Sequence, residues 1–263
     1  MPMDCRPLAV LLLAACSSPA EVAERTGQAA EADATATSAT AQAKKVEEDT
    51  PLYGYDLSYP AAVARIPALA RRIEEQAAKG KAEMIADAKA AQAEAKASGF
   101  PFNPYGFGEE WQVVADLPGY LSLSNQFYSY TGGAHGMYGM EALVWDKANA
   151  RGFPSEQLFQ APSFLGSIMG ETLCDALDRE RKKKGAETDR GPDPVFPPCP
   201  GLEEATILVG SSNGKTFDRI TVWYGPYVAG SYAEGAYELD FPMTGAMLEA
   251  VKPAYRAAFS VKR

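Results

Sequence analysis

The chain contains one histidine, His135, and it stands in the most unusual stretch of the sequence, Tyr130-Thr131-Gly132-Gly133-Ala134-His135-Gly136-Met137-Tyr138-Gly139. An imidazole changes charge near neutrality and serves as base, ligand or hydrogen-bond partner. The glycines around it permit positive φ or close approach to another surface. Two arrangements fit the pattern. In one, the run is a hairpin whose His135 ring is held by a backbone hydrogen bond. In the other, a loop presents His135, Tyr130 and Tyr138 to a ligand. Catalysis by His135 as general base would need a carboxylate, and Glu141 and Asp146 are the candidates for a hydrolase.

Other motifs fail on context. Gly210-Ser211-Ser212-Asn213-Gly214 matches G-x-S-x-G. A nucleophile elbow lies between strand and helix, whereas Phe217 to Trp223 alternates like a strand, and His135 precedes the serine in the chain. Gly214-Lys215-Thr216 resembles the end of a P-loop, but position 209 is Val where that motif needs Gly, and no helix follows. No nucleotide is expected. A zinc site draws on several His and Cys side chains, no EF-hand spacing occurs, and Asp189 to Asp193 reads as a solvated loop, so neither metal nor cofactor is expected.

The four cysteines divide by position. Arg6, the apolar Leu8 to Leu13 and the ending Leu13-Ala14-Ala15-Cys16 match a bacterial lipoprotein export signal, too short to span a bilayer. Residues 1–15, Cys5 included, would be removed and Cys16 lipidated, an anchor of two or more acyl chains. Ser17, where an Asp would retain the protein in the inner membrane, points to the outer membrane, facing the periplasm. Cys174 and Cys199 remain and are expected to pair in an oxidising compartment.

With 34 acidic and 25 basic residues the chain carries a net charge of −9, and nucleic acid is excluded as a partner. The basic cluster Arg179, Arg181, Lys182, Lys183 and Lys184 falls at a helix end, where the helix dipole accounts for it. Residues 16–50, rich in Ala, Thr, Ser, Glu and Gln, read as a disordered tether reaching about 30 Å. Residues 51–263 read as one domain. Leu52 to Tyr59 is a strand, and a helix follows from Ala61 to about Ala97, interrupted at Gly80. Strands are expected at 110–117, 120–131 and 137–145, a short helix from Ser155, a helix over 164–177, a hairpin of 207–209 with 219–224, and a strand over 234–241. A helix bent at Pro253 closes the chain from Thr244 to Phe259. This order predicts an α+β fold with a largely antiparallel sheet, one long early helix and one C-terminal helix.

The glycine-histidine run, the aromatic strand before it and the late Tyr224-Gly225-Pro226-Tyr227-Val228-Ala229-Gly230 element resemble the bacterial envelope domain shared by peptidoglycan deacetylase C and the sigma-V anti-sigma factor. The resemblance spans roughly Leu52 to Phe259. It implies an α+β domain outside the membrane that binds a ligand, with cell-wall glycan or lysozyme as partners. It does not extend to a deacetylase catalytic domain, whose metal site needs an Asp and two further histidines, nor to a sigma-binding segment with a membrane helix. The expectation is a non-enzymatic, lipid-anchored binding or sensor domain. Its ligand contacts would be Tyr130, Thr131, Gly132, Gly133, His135, Tyr138, Tyr224, Tyr227 and Tyr232, whose aromatic faces suit sugar rings and protein hot spots.

Overall fold

A computed structural model describes residues 41–186, 188 and 194–262, and residues 42–263 form one compact unit. The expected signal, Cys16, the tether to residue 40 and the 189–193 loop lie outside the described residues.

Alternating apolar and polar positions build a six-stranded sheet in chain order: β1 (Lys44–Asp49), β2 (Tyr53–Tyr59), β3 (Tyr105–Asp116), β4 (Tyr120–Tyr130), β5 (Met137–Asp146) and β6 (Arg151–Pro154). All pairs are antiparallel except β2 with β3. That pair is parallel because α1 (Ala61–Ala64) and α2 (Pro67–Ser98) return the chain across the sheet. β7 (Thr206–Gly210), β8 (Arg219–Tyr224) and β9 (Tyr237–Pro242) form a second, antiparallel sheet. The α+β architecture and the long early helix are those expected.

Two cores flank the main sheet. On one face Leu69, Ile73, Ala77 and Met84 of α2 pack on Leu57, Trp111, Leu121, Leu123, Leu143 and Trp145. The other core joins Val144 and Phe153 to the second sheet and to α3 (Pro162–Met169) and α4 (Glu171–Lys183). A bulge at Val113/Ala115 shifts register, so that Ala115 joins this second core although Trp111 belongs to the first.

Four local readings need correction. Residues 44–49, assigned to the tether by composition, form edge strand β1: Val46 packs against the first core, Lys44 reaches Glu74 at 2.6 Å, and Glu48 accepts from Tyr53 at 2.9 Å. The interruption of the early helix falls at Ile66-Pro67, because a residue before proline avoids helical angles. Gly80 continues the helix, its missing side chain leaving room for the Phe107 ring, 3.0 Å from where a Cβ would stand. Gly170, at φ 50° and ψ −133°, divides the expected 164–177 helix into α3 and α4. The closing segment is two 3-10 helices, Met247–Ala250 and Pro253–Ala258, not an α-helix: Pro253 forbids continuation, and Val251 bridges extended to Phe159.

The Gly210 to Gly214 segment is a turn before β8, as its flanks require. Its Ser212 hydroxyl donates to Asp218 Oδ2 at 2.6 Å, the Ser212 amide to Oδ1 at 2.6 Å, and Asn213 Nδ2 to Oδ2 at 3.0 Å. Burial works to raise the Asp218 pKa, but the Ser212 and Asn213 hydrogen bonds together outweigh it and hold the group below its ordinary value. A carboxylate with a lowered folded-state pKa stabilises above its unfolded value and loses that contribution as pH falls through the folded one. Asp218→Asn should therefore cost about 1 to 3 kcal/mol at pH 7, and the difference from wild type should shrink below about pH 4, in urea unfolding across pH.

Candidate functional site

The β4–β5 connection carries the glycine-rich run out of the main sheet, and the chain between β8 and β9 meets it from the second. Gly132 turns the backbone at φ 88°, and the Tyr130 hydroxyl closes the loop by donating to the Gly133 carbonyl at 2.9 Å. Gly136 is buried, and a Cβ there would run into the Tyr128 ring. His135 is exposed, its ring stacked on Tyr232 with centroids 3.9 Å apart and planes 21° apart. The backbone-held ring read from the sequence is present, and the same residue is exposed.

The Gly136 carbonyl binds the two elements. It accepts from the Tyr232 hydroxyl at 2.7 Å and lies 2.9 Å from His135 Nδ1. A carbonyl only accepts, so Nδ1 is the donor in this contact. Tyr138 accepts from the Ala236 amide at 3.1 Å and meets Tyr232 edge-on at 6.0 Å. Tyr227 lies 5.8 Å from Tyr232, 51% exposed. Its φ of 68° is a conformation that L residues rarely adopt and that costs on the order of 1 kcal/mol or more. Tyr128, exposed and opposite Tyr138 on β4, extends the patch along the sheet.

The expected contacts separate into two groups. His135, Tyr138, Tyr227 and Tyr232 converge, with Tyr130, Thr131, Gly132 and Gly133 forming the adjoining loop. Tyr224 does not join them: it is fully buried, and its hydroxyl donates to Pro200 O at 2.7 Å. Its position on β8, facing the second core, overrides the local pattern. Nor do the carboxylates of the hydrolase reading meet His135. Glu141 and Asp146 follow Met137 along β5, roughly 14 and 31 Å away at about 3.4 Å per residue. Asp146 is buried and accepts from the Ala148 and Asn149 amides at 3.1 Å, an Asx turn leading to β6.

The basic cluster at the end of α4 does more than complement a dipole. Arg181 is 5% exposed and donates to Ala229 O, Pro197 O and Pro198 O at 2.6 to 3.1 Å. Lys184 donates to Glu234 O and Ala236 O at 2.8 and 2.5 Å and lies over the Tyr237 ring. These two side chains fix the segment that bears Tyr227 and Tyr232. The expected Cys174–Cys199 disulfide is present and also ties the neighbouring Pro197–Pro198 segment to α4. The sequence signal for Arg181 was its place amid apolar Leu173, Ala176 and Leu177, one helical turn on.

Sequence reasoning also passed over a groove between α2 and the main sheet. Trp111, Asn125 and Glu141 stand opposite one another on β3, β4 and β5, with Glu109 diagonal to Asn125. Burial raises the Glu109 pKa, and the charge of Glu141 adds to this.

Residues 46–138 match the family model described as Deacetylase PdaC, a span that ends inside the glycine-rich run and agrees with the resemblance read from it. No curated protein matches the chain. A solved structure of a DUF3298 family member from Bacteroides fragilis is similar at 19% identity and a TM-score of 0.51, over 82% of this chain and 95% of that one. A DUF3298 family protein from Pseudomonas aeruginosa is similar at 16% identity and a TM-score of 0.44, over 85% of this chain and 98% of that one. The first shows that the fold is shared.

Proposed function

We propose that the chain is a lipid-anchored, extracytoplasmic binding domain that recognises peptidoglycan or a muralytic protein such as lysozyme through the aromatic face around His135. The observation that carries this reading is Tyr227, an exposed ring at positive φ beside the His135–Tyr232 stack. A strained, solvent-facing aromatic contributes nothing to folding that a smaller residue would not, whereas such rings supply flat apolar faces and a polar edge to sugars and protein partners. The acidic balance, with a sequence pI near 4.8, favours a basic protein partner. The Leu8 to Cys16 signal and Ser17 support an outer-membrane anchor facing the periplasm. Among the described residues no helix is long and apolar enough to cross a membrane. A hydrolase using His135 with Glu141 or Asp146 has less support, because neither carboxylate orients the imidazole.

Calorimetric titration of the full chain in detergent with lysozyme and with soluble peptidoglycan fragments, at about 0.15 M salt to screen bulk attraction, tests the proposal. Saturable binding of either is expected; no heat with both would discard it. Tyr227→Gly provides a second check. Glycine relieves the positive φ, so the unfolding temperature should hold or rise, while affinity should fall about 30-fold, as for loss of an aromatic hot spot. Unchanged affinity would remove Tyr227 from the site.

A further inference from the structure

We propose that the face of the main sheet turned away from α2 carries a glycan-binding trough, in which an uncharged sugar chain crosses β2, β3 and β4 and stacks on Tyr128. This rests on the reading of the adjoining aromatic face as a binding surface and assigns that surface a glycan rather than a protein. Register places Gly54 beside Gly106, and Gly108 beside Tyr128. All four share one face, because the alternating Tyr55 and Phe107 pack on the α2 side. A glycine inside a strand weakens the sheet and marks a bulge, a bend or the close approach of another molecule. None of these three glycines is at positive φ, and the register shift on β3 lies farther along, at Val113/Ala115. Nor does packing exclude a side chain at two of them. A Cβ on Gly54 would stand 4.0 Å from Glu48 O, and one on Gly108 3.4 Å from Asp56 Cβ, both ordinary contacts. Close approach from outside is the reason left for them.

Tyr128 lies down on this floor although it is 45% exposed. Its Cε1 is 3.3 Å from where a Cβ of Gly106 would stand on β3, while Cε2 on the opposite edge takes the place of a Cβ on Gly136 of β5. A ring laid across two glycines turns its outer face to solvent, ready to stack on the apolar face of a sugar. Asp56, Ser58, Glu110 and Gln126 stand on the same face beside the trough and bring carboxylate, hydroxyl and amide groups to sugar hydroxyls. Lys45, the basic residue of β1 on this face, is paired with Glu47. Carboxylates therefore set the local charge, which repels a polyanionic chain and admits an uncharged one. At about 4.8 Å between strands the floor spans roughly 14 Å from β2 to β5, room for more than one sugar ring. It continues into Tyr138, opposite Tyr128, and from there to Tyr232 stacked on His135.

Calorimetric titration of the full chain in detergent with the hexamer of N-acetylglucosamine, with the monosaccharide and with a hexamer of galacturonic acid tests the trough. Saturable binding of the first is expected, at least tenfold tighter than the monosaccharide and not shared by the anionic hexamer. Gly54→Val and Gly108→Val raise a branched side chain in the trough and suit a strand. Their unfolding temperatures should hold or rise while affinity for the hexamer falls about tenfold or more, and Tyr128→Ala should weaken it to a similar extent. No binding of the uncharged hexamer at millimolar concentration, equal binding of the anionic one, or full affinity in both valine variants would overturn the proposal. A marked fall in unfolding temperature in both valine variants would overturn it too, since the glycines would then serve packing. Affinity lowered by Tyr227→Gly but by none of the trough variants would discard the trough and keep the aromatic face. The reverse pattern would support the trough and remove Tyr227 from recognition.

Discussion

Replacing Arg181 with methionine should lower stability by about 3 to 5 kcal/mol, roughly 10 °C in unfolding temperature for a domain of this size. Methionine fills the space of the aliphatic stem but donates nothing. The carbonyls of Pro197, Pro198 and Ala229, which share the guanidinium's donors at 2.6 to 3.1 Å, would then be left without them in a protein interior. Lysine should rescue little, since one ammonium cannot span three carbonyls on two separate segments. The same substitution should impair binding at the aromatic face, because Ala229 lies between Tyr227 and Tyr232. Thermal unfolding of the two variants decides the matter, and a loss under 2 °C in Arg181→Met would show that the guanidinium is dispensable.

Loss of the Cys174–Cys199 disulfide should cost roughly 3 to 4 kcal/mol, from the loop of 25 residues that it closes in the unfolded chain. The Cys174→Ser, Cys199→Ser double variant measured by urea unfolding gives this directly. Its combination with Arg181→Met should be less than additive by about 1 kcal/mol or more, because both devices restrain the Pro197 to Cys199 segment. Once the disulfide is gone, that segment can leave, and Arg181 then has fewer partners to lose. Strict additivity would mean that the two act on independent parts of the molecule.

Much of this architecture was legible from residue pattern. Strands β2 to β5, the early helix and the β7–β8 hairpin follow alternation and three-and-four spacing, which burial on one face enforces. What escaped was set by tertiary contact. β1 is a run of charges around Val46 and becomes a strand because β2 offers an open edge. Gly80 looks like a helix breaker until the Phe107 ring takes up the vacated space. Tyr224 and Tyr227 lie three residues apart in a Tyr-rich element, yet one is core and the other surface, a distinction that alternation along β8 makes for Tyr224 and that ends with the strand. At the aromatic site, His135 with its glycines announced itself, whereas the pairing of Tyr232 with His135 bridges 97 positions and has no local signature. The juxtaposition of Glu109, Asn125 and Glu141 exists only through strand register.

Because the chain has one histidine, its imidazole C–H resonances are a unique reporter of the proposed binding face, and proton NMR of the folded protein during titration with lysozyme or with peptidoglycan fragments tests the central claim most directly. Stacking on Tyr232 places these protons in a ring current that any ligand seated on Tyr227, Tyr232 and His135 must alter. A saturable shift of the His135 signals, with the same midpoint as the calorimetric titration and lost in Tyr227→Gly, is the expected result. Binding detected by heat while the His135 resonances stay fixed would contradict it and move recognition to another surface of the domain.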